Sequence, residues 1–216
     1  MKIVSFIPIK LNNQRLPGKN TMSLGGQPVC QYIFNTVSAV TGIDEKYVYC
    51  SDESIQAYMP DNIKFLKREK WLDSPETKGL QIIESFLNDV DADIYVLTHA
   101  TSPFLRPETM QKALERVISG EYDSAFTAQE IKNYCWYQGN PVNYDLTNIV
   151  TTQNVEPVYV ENGGFFIFTK EVFTKYHRRI GLNPYIAVTD NIESIDLDTR
   201  EDFEMAQAAV VRLGNK

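Results

Sequence analysis

Cysteine is scarce in this chain: Cys30, Cys50 and Cys135 are all of it, odd in number and without metal-ligand spacing. No thiolate metal site is expected, and free thiols point to a cytoplasmic location. Positive charge is also short, with 21 Lys and Arg against 28 Asp and Glu and a net charge of −7. An acidic chain repels nucleic acid and anionic lipid, so neither is an expected partner, and an anionic ligand would need a local basic island. No apolar run is long enough to span a bilayer; the run Ile3–Ile9 is followed by no cleavage site, so no leader is expected. Repeats and low-complexity tracts are missing. So are two glycine signatures of nucleotide sites. Gly18-Lys19 has no glycine before it in its loop, and Asn20 rather than Ser or Thr follows it, which excludes a P-loop. No Gly-x-Gly-x-x-Gly follows the first apolar run, which excludes the dinucleotide fingerprint.

What is present is an alternation of strands and helices. At 216 residues and 43% hydrophobic composition, the chain can bury one substantial core. Ile3–Ile9 reads as a buried central strand. Tyr47–Cys50, Ile63–Leu66, Ile94–Thr98, Ser124–Ala128 and Gly163–Phe168 read as further strands, and Ile192–Ile195 as the last. Val29, Ile33, Val37 and Val40 recur at helical spacing, as do Ile82, Ile83, Phe86 and Leu87, and Met110, Ala113, Leu114, Val117 and Ile118. A final helix from about Arg200 groups Phe203, Ala206, Val210 and Val211 on one face. This rhythm predicts an α/β fold, a doubly wound, mostly parallel sheet, with residues 1–216 as a single domain. The rhythm breaks over 131–157, where Tyr134, Trp136 and Tyr137 sit among weakly periodic residues. That stretch reads as an excursion, a small lobe or dimerisation arm, and implies a homodimer, since large aromatics in such arms anchor interfaces.

Two motifs carry chemistry. The loop leaving the first strand, Lys10 to Asn20, holds three cations (Lys10, Arg15, Lys19) and four side-chain amides. Ligands of open α/β sheets bind beyond the carboxyl ends of strands, and cations with amide donors suit a polyphosphate and a base edge. The plain alternative is a surface loop with a chance basic cluster. The second motif is Asp196-Leu197-Asp198-Thr199 before the final helix. If these residues leave a strand, both carboxylates share a face and can hold Mg²⁺ jointly with phosphate oxygens. Alternatively Asp198 or Thr199 caps the helix, with Glu201 or Asp202 completing a capping box.

With both ends read, the chain resembles the acylneuraminate cytidylyltransferase family over nearly its whole length. The matching motifs are Leu16-Pro17-Gly18-Lys19-Asn20, Ser51-Asp52, Arg68, the stretch His99 to Arg106, Asn162-Gly163 and Asp196-Leu197-Asp198. The resemblance implies a Rossmann-like nucleotidyltransferase that moves CMP from CTP to a sugar acid, with Mg²⁺ as cofactor. It implies catalytic roles for Lys10, Lys19 and Asp198, and a nucleotide site of Lys10, Arg15, Lys19, Asn20 and Arg68. Asp196 and Asp198 would hold the metal. The acceptor site would comprise His99, Thr101, Ser102 and Asn162.

Two departures concern the acceptor. His99 stands where the family usually has Gln, and could donate to an acceptor oxygen. Thr151-Thr152-Gln153 stands where Arg-x-Gln is usual, so the acceptor carboxylate lacks its customary partner; Arg106, Arg178 and Arg179 are the candidates to replace it. A glycosyltransferase, a sugar-1-phosphate nucleotidyltransferase and a non-catalytic nucleotide-binding module are the competing readings.

Overall fold

The computed structural model describes residues 1–214. Its strands are β1 (Ile3–Ile9), β2 (Ser23–Leu24), β3 (Gln27–Pro28), β4 (Glu45–Cys50), β5 (Lys64–Lys67), β6 (Ile94–Thr98), β7 (Ser124–Ile131), β8 (Trp136–Tyr137), β9 (Asn140–Pro141), β10 (Val158–Thr169) and β11 (Pro184–Thr189). The helices are α1 (Val29–Ala39), α2 (Gly79–Asp89), α3 (Pro107–Ile118), α4 (Lys170–Tyr176) and α5 (Arg200–Gly214). Seven strands form one sheet in the order β11-β7-β10-β6-β1-β4-β5. Only β10 runs antiparallel to its neighbours, pairing β6 on one side and β7 on the other.

Burial on both faces explains the apolar runs. β1 and β6 are central, and every residue of β6 is buried. One face packs Ile7, Ile9 and Val96 against Ile33, Phe34, Met110 and Leu114 of α1 and α3. The other packs Phe6, Tyr95, Phe166 and Phe168 against Phe86 of α2 and Phe173 of α4. Phe6 and Phe86 stack with ring centroids 4.1 Å apart. This is the doubly wound arrangement, and burial on the first face pushes the Cys30 thiol up to about 12, so it stays protonated at neutral pH.

The stretch Ile192–Ile195 is not a strand; the edge strand is β11, which ends at Thr189. Asp190 breaks the chain there, because its Oδ1 accepts from the backbone N–H groups of Ile192 and Glu193, both at 2.9 Å, and closes a turn. Val211 also leaves its expected face and is exposed, whereas Phe203 and Ala206 pack with Leu16, Leu24, Val29 and Leu197. Between β7 and β10 the chain forms the small β8–β9 hairpin. Tyr144 gathers Tyr134 and Trp136 at centroid distances of 4.7 and 6.1 Å. That segment therefore has an aromatic cluster of its own, which its sequence does not signal.

Candidate active site at the carboxyl edge

The exits of β1, β4, β5 and β6 lie along one edge, because these strands are parallel. The first exit is the basic loop. Gly18 adopts φ 69°, the left-handed turn that starts a short 3₁₀ segment at Lys19–Thr21. The turn drives Lys19 inward. Its ammonium, almost fully buried, donates to the Leu197 carbonyl at 2.6 Å and to Asp198 Oδ1 at 2.8 Å. Arg15, exposed, reaches Asp198 Oδ2 at 2.9 Å. Asn20 is buried and holds the loop by donating to the Lys10 carbonyl at 2.9 Å, while its Oδ1 has no partner among the described residues. A cavity of about 220 Å³ is lined by Lys10, Asn13, Gln14, Arg15, Leu16, Lys19 and Pro75.

The next exits build a second cavity, of about 570 Å³, lined by Leu11, Asn12, Ser51, Asp52, Glu53, Lys67, Lys70 and Asp73. Arg68 lies beneath this cavity rather than in its wall. Its buried guanidinium donates to Asp73 Oδ1 at 2.6 Å, Asp73 also accepts from Ser51 Oγ, and Arg68 Nε has no partner among the described residues. Sequence reading found Arg68 and Ser51 but not Asp73. The signal was the short 3₁₀ turn at Lys70–Asp73, which carries the carboxylate back over the arginine.

The acidic motif enters from the far end of the chain. Leu197 is buried and its N–H donates to the Thr101 carbonyl at 2.8 Å, so the flanking Asp196 and Asp198 are presented without a strand. The capping alternative resolves in favour of a neighbour. Asp202 Oδ2 accepts from Asp198 N, Thr199 N and Thr199 Oγ1, and Asp202 N donates to Thr199 Oγ1 at 3.2 Å. Thr199 and Asp202 are the capping box, and the Asp198 carboxylate is left to Lys19 and Arg15. Asp196 Oδ1 is buried without a partner among the described residues. Burial pushes the Asp196 carboxyl above the ordinary range; Thr101 opposes this, Asp198 adds to it, and His99 and Lys19 oppose it.

On the acceptor side, His99 Nδ1 lies 2.5 Å from the Gly163 carbonyl, at a bulge of β10 where Gly163 has φ 73°. A carbonyl can only accept, so Nδ1 carries the proton. Burial holds the imidazole below its usual pKa; the Gly163 bond and Asp196 oppose this, while Arg179 and Lys19 add to it. Neutral His99 therefore offers Nε2 as an acceptor, which reverses the donor role expected from sequence. Asn162 donates to Thr189 Oγ1 at 2.7 Å and braces the bulge. Ser102 is buried inside the turn after β6. Arg106 is bound to Asp190 and Glu193, which leaves Arg178 and Arg179 as the cations not engaged in bracing that turn.

The profile of the cytidylyltransferase family matches residues 4–208. The chain belongs to that family. Among curated cytidylyltransferases it is 25% identical over 217 residues to the N-acylneuraminate cytidylyltransferase of Streptococcus agalactiae serotype III (strain NEM316), covering 94% of this chain and 52% of that protein. The chain thus spans about half the length of the first curated relatives it matches. It is 27% identical over 226 residues to the CMP-N,N'-diacetyllegionaminic acid synthase of Legionella pneumophila, covering 96% and 95% of the two chains. The structure of a CMP:2-keto-3-deoxy-manno-octonic acid synthetase complexed with CTP shares the fold, with a TM-score of 0.72 at 16% identity over 99% of this chain and 100% of that one. The capping box gives a direct prediction for this chain. Thr199→Ala should lower stability by about 1 kcal/mol in a denaturant titration, the usual cost of a lost N-cap, and leave the Asp198 carboxylate where it is.

Proposed function

We propose that this cytidylyltransferase moves CMP from CTP to a sugar acid and releases pyrophosphate. The observation that carries the reading is the Lys19–Asp198 bridge, which joins the basic loop and the acidic motif at one point beside a cavity lined by further cations. In this reading the triphosphate lies along Lys10, Arg15 and Lys19, and the cytidine occupies the cavity over Arg68 and Asp73. The acceptor hydroxyl oxygen bonds to the α-phosphorus, the bond to the outgoing pyrophosphate oxygen breaks, and the lysines offset charge on the leaving group. His99 Nε2 accepts the hydrogen bond of the attacking hydroxyl, and Thr101 borders its approach while Ser102 stays inside the turn.

The donor set suits Mg²⁺. Asp196 has a buried oxygen without a partner, Asp198 adds a second hard donor, and no third metal-ligating side chain gathers there among the described residues. A cation held by Asp196 and Asp198 would complete its shell with phosphate oxygens and neutralise their charge.

The experiment is incubation with CTP, Mg²⁺ and a panel of sugar acids, reading pyrophosphate. Release with at least one acid is expected; no release with any, from protein that still binds CTP, overturns the reading. No helix among the described residues is long and apolar enough to cross a membrane, and a cytoplasmic location belongs to the proposal. So does a homodimer through 131–157, where Trp136, Tyr137, Leu146 and Ile149 are exposed. Light scattering should give a dimer mass, and Trp136→Ala should shift it towards the monomer. A wild-type monomer at assay concentration refutes the arm.

A further inference from the structure

A third cavity, of about 470 Å³, lies between the start of α2 and the loop after α4, lined by Lys78, Gly79, Leu80, Arg178, Arg179, Ile180 and Gly181. Its wall holds three cations and no carboxylate. The nucleotide reading gives it no role. The segment 67–80 nevertheless connects it to the other two cavities, since Lys67, Lys70 and Asp73 line the first, Pro75 the second, and Lys78 to Leu80 this one.

Arg179 fixes the position of this cavity relative to the reacting atoms. Its guanidinium lies 3.5 Å over the Phe166 ring, and that ring is 6.0 Å edge-on from His99. His99 in turn is close enough to Asp196 and Arg179 to feel both charges. Arg179 thus stands one aromatic ring beyond the imidazole. A nonulosonic acid carries its carboxylate and its attacking hydroxyl on the same carbon. That carboxylate stays beside the phosphates with the hydroxyl, whereas Arg179, a ring's width behind His99, is placed for a more distant part of the acceptor.

We propose that the cavity around Lys78, Arg178 and Arg179 receives the end of the acceptor remote from its reacting carbon, and selects a sugar acid with a second oxyanion there, a carboxylate or a phosphate. This rests on the cytidylyl-transfer reading above. Glu161 already binds Arg179 at 2.7 Å, which holds the guanidinium flat on Phe166 and leaves its other N–H groups for a planar or tetrahedral oxyanion. Arg178 is exposed, with Tyr176 5.0 Å from its guanidinium carbon, and Lys78 adds a point charge from the opposite wall. Leu80 and Ile180 line the rest, so an uncharged polar tail meets apolar surface and cations that it cannot neutralise.

The test compares matched acceptors, 3-deoxy-manno-octulosonate against its 8-phosphate and N-acetylneuraminate against its 9-phosphate, by kcat/KM for pyrophosphate release. The wild type should prefer the phosphorylated member of a pair by about tenfold or more, as one charge-assisted contact provides. Arg179→Gln and, separately, the exposed Arg178→Ala should each erode that preference through the acceptor KM, with the KM for CTP unmoved. Arg179→Lys, which keeps charge but not the planar fork, should favour phosphate over a terminal carboxylate. Equal use of both members by the wild type, or a preference unchanged in both variants, overturns the inference while cytidylyl transfer stands. Failure of every acid overturns both.

Discussion

Replacing Asp198 with Asn should reduce turnover roughly 100- to 1,000-fold, the loss that follows deletion of one preorganised electrostatic contact at a developing charge. The folded protein should be nearly unaffected. Asn retains an oxygen for the Lys19 ammonium, which also keeps the Leu197 carbonyl, and the cap of α5 resides in Thr199 and Asp202. Pyrophosphate release under saturating CTP and Mg²⁺, with a thermal melt alongside, separates the two effects. Normal turnover in Asp198→Asn would reduce the acidic motif to a loop anchor. Removal of Thr199 should show the converse pattern, a stability loss with turnover retained.

Lys19→Ala should produce the second large effect, and it has two parts. CTP affinity should fall much further than CMP affinity, because in the proposed site the ammonium faces the outer phosphates; a loss of about 1.5–3 kcal/mol is typical for one charge-assisted contact. Calorimetric titration with both nucleotides reads this, and equal losses would remove Lys19 from the triphosphate. The second part concerns pH. Asp196 is raised by burial, and the Lys19 charge is one of the influences holding it down. A carboxyl with a raised folded-state pKa favours the folded state when protonated, and that contribution is lost as pH rises through its pKa. In the proposed site a cation would need the ionised form, so its binding should weaken as pH falls through the same range. The acid limb of activity should therefore lie above that of an ordinary aspartate, and Lys19→Ala should shift it further towards neutral pH. Stability lost by leaving the buried Leu197 carbonyl unpaired is measured separately by the melt.

The sequence reveals the centre of the sheet because burial on both faces forces the continuous apolar runs of β1 and β6, and shorter apolar stretches mark β4, β5 and β7. The failure at Ile192–Ile195 has another root. Two isoleucines flank polar residues there, Asp190 offers the backbone a competing turn, and Arg106 binds Glu193 of that turn from 87 residues away, which no local pattern records. At the site, sequence brings Lys19 and Asp198 forward through their motifs, and the geometry joins them. It does not reveal the partner of Arg68, since the buried ion pair with Asp73 depends on a 3₁₀ turn. It also assigns His99 the wrong hydrogen-bonding sense, because the sense is fixed by the Gly163 carbonyl, which lies 64 residues further along the chain. The role of Phe166 as a platform for Arg179 is equally invisible, since nothing in either stretch announces the other.

The bond from Lys19 to Asp198 spans 179 residues of chain. It makes the site one of the last things the polypeptide can complete. During synthesis the basic loop emerges early, whereas the two partners of its lysine, Leu197 and Asp198, emerge almost last. The closing contact carries a large loop-closure entropy. A chain ending before Leu197 lacks both the carbonyl and the carboxylate that hold the Lys19 ammonium in place.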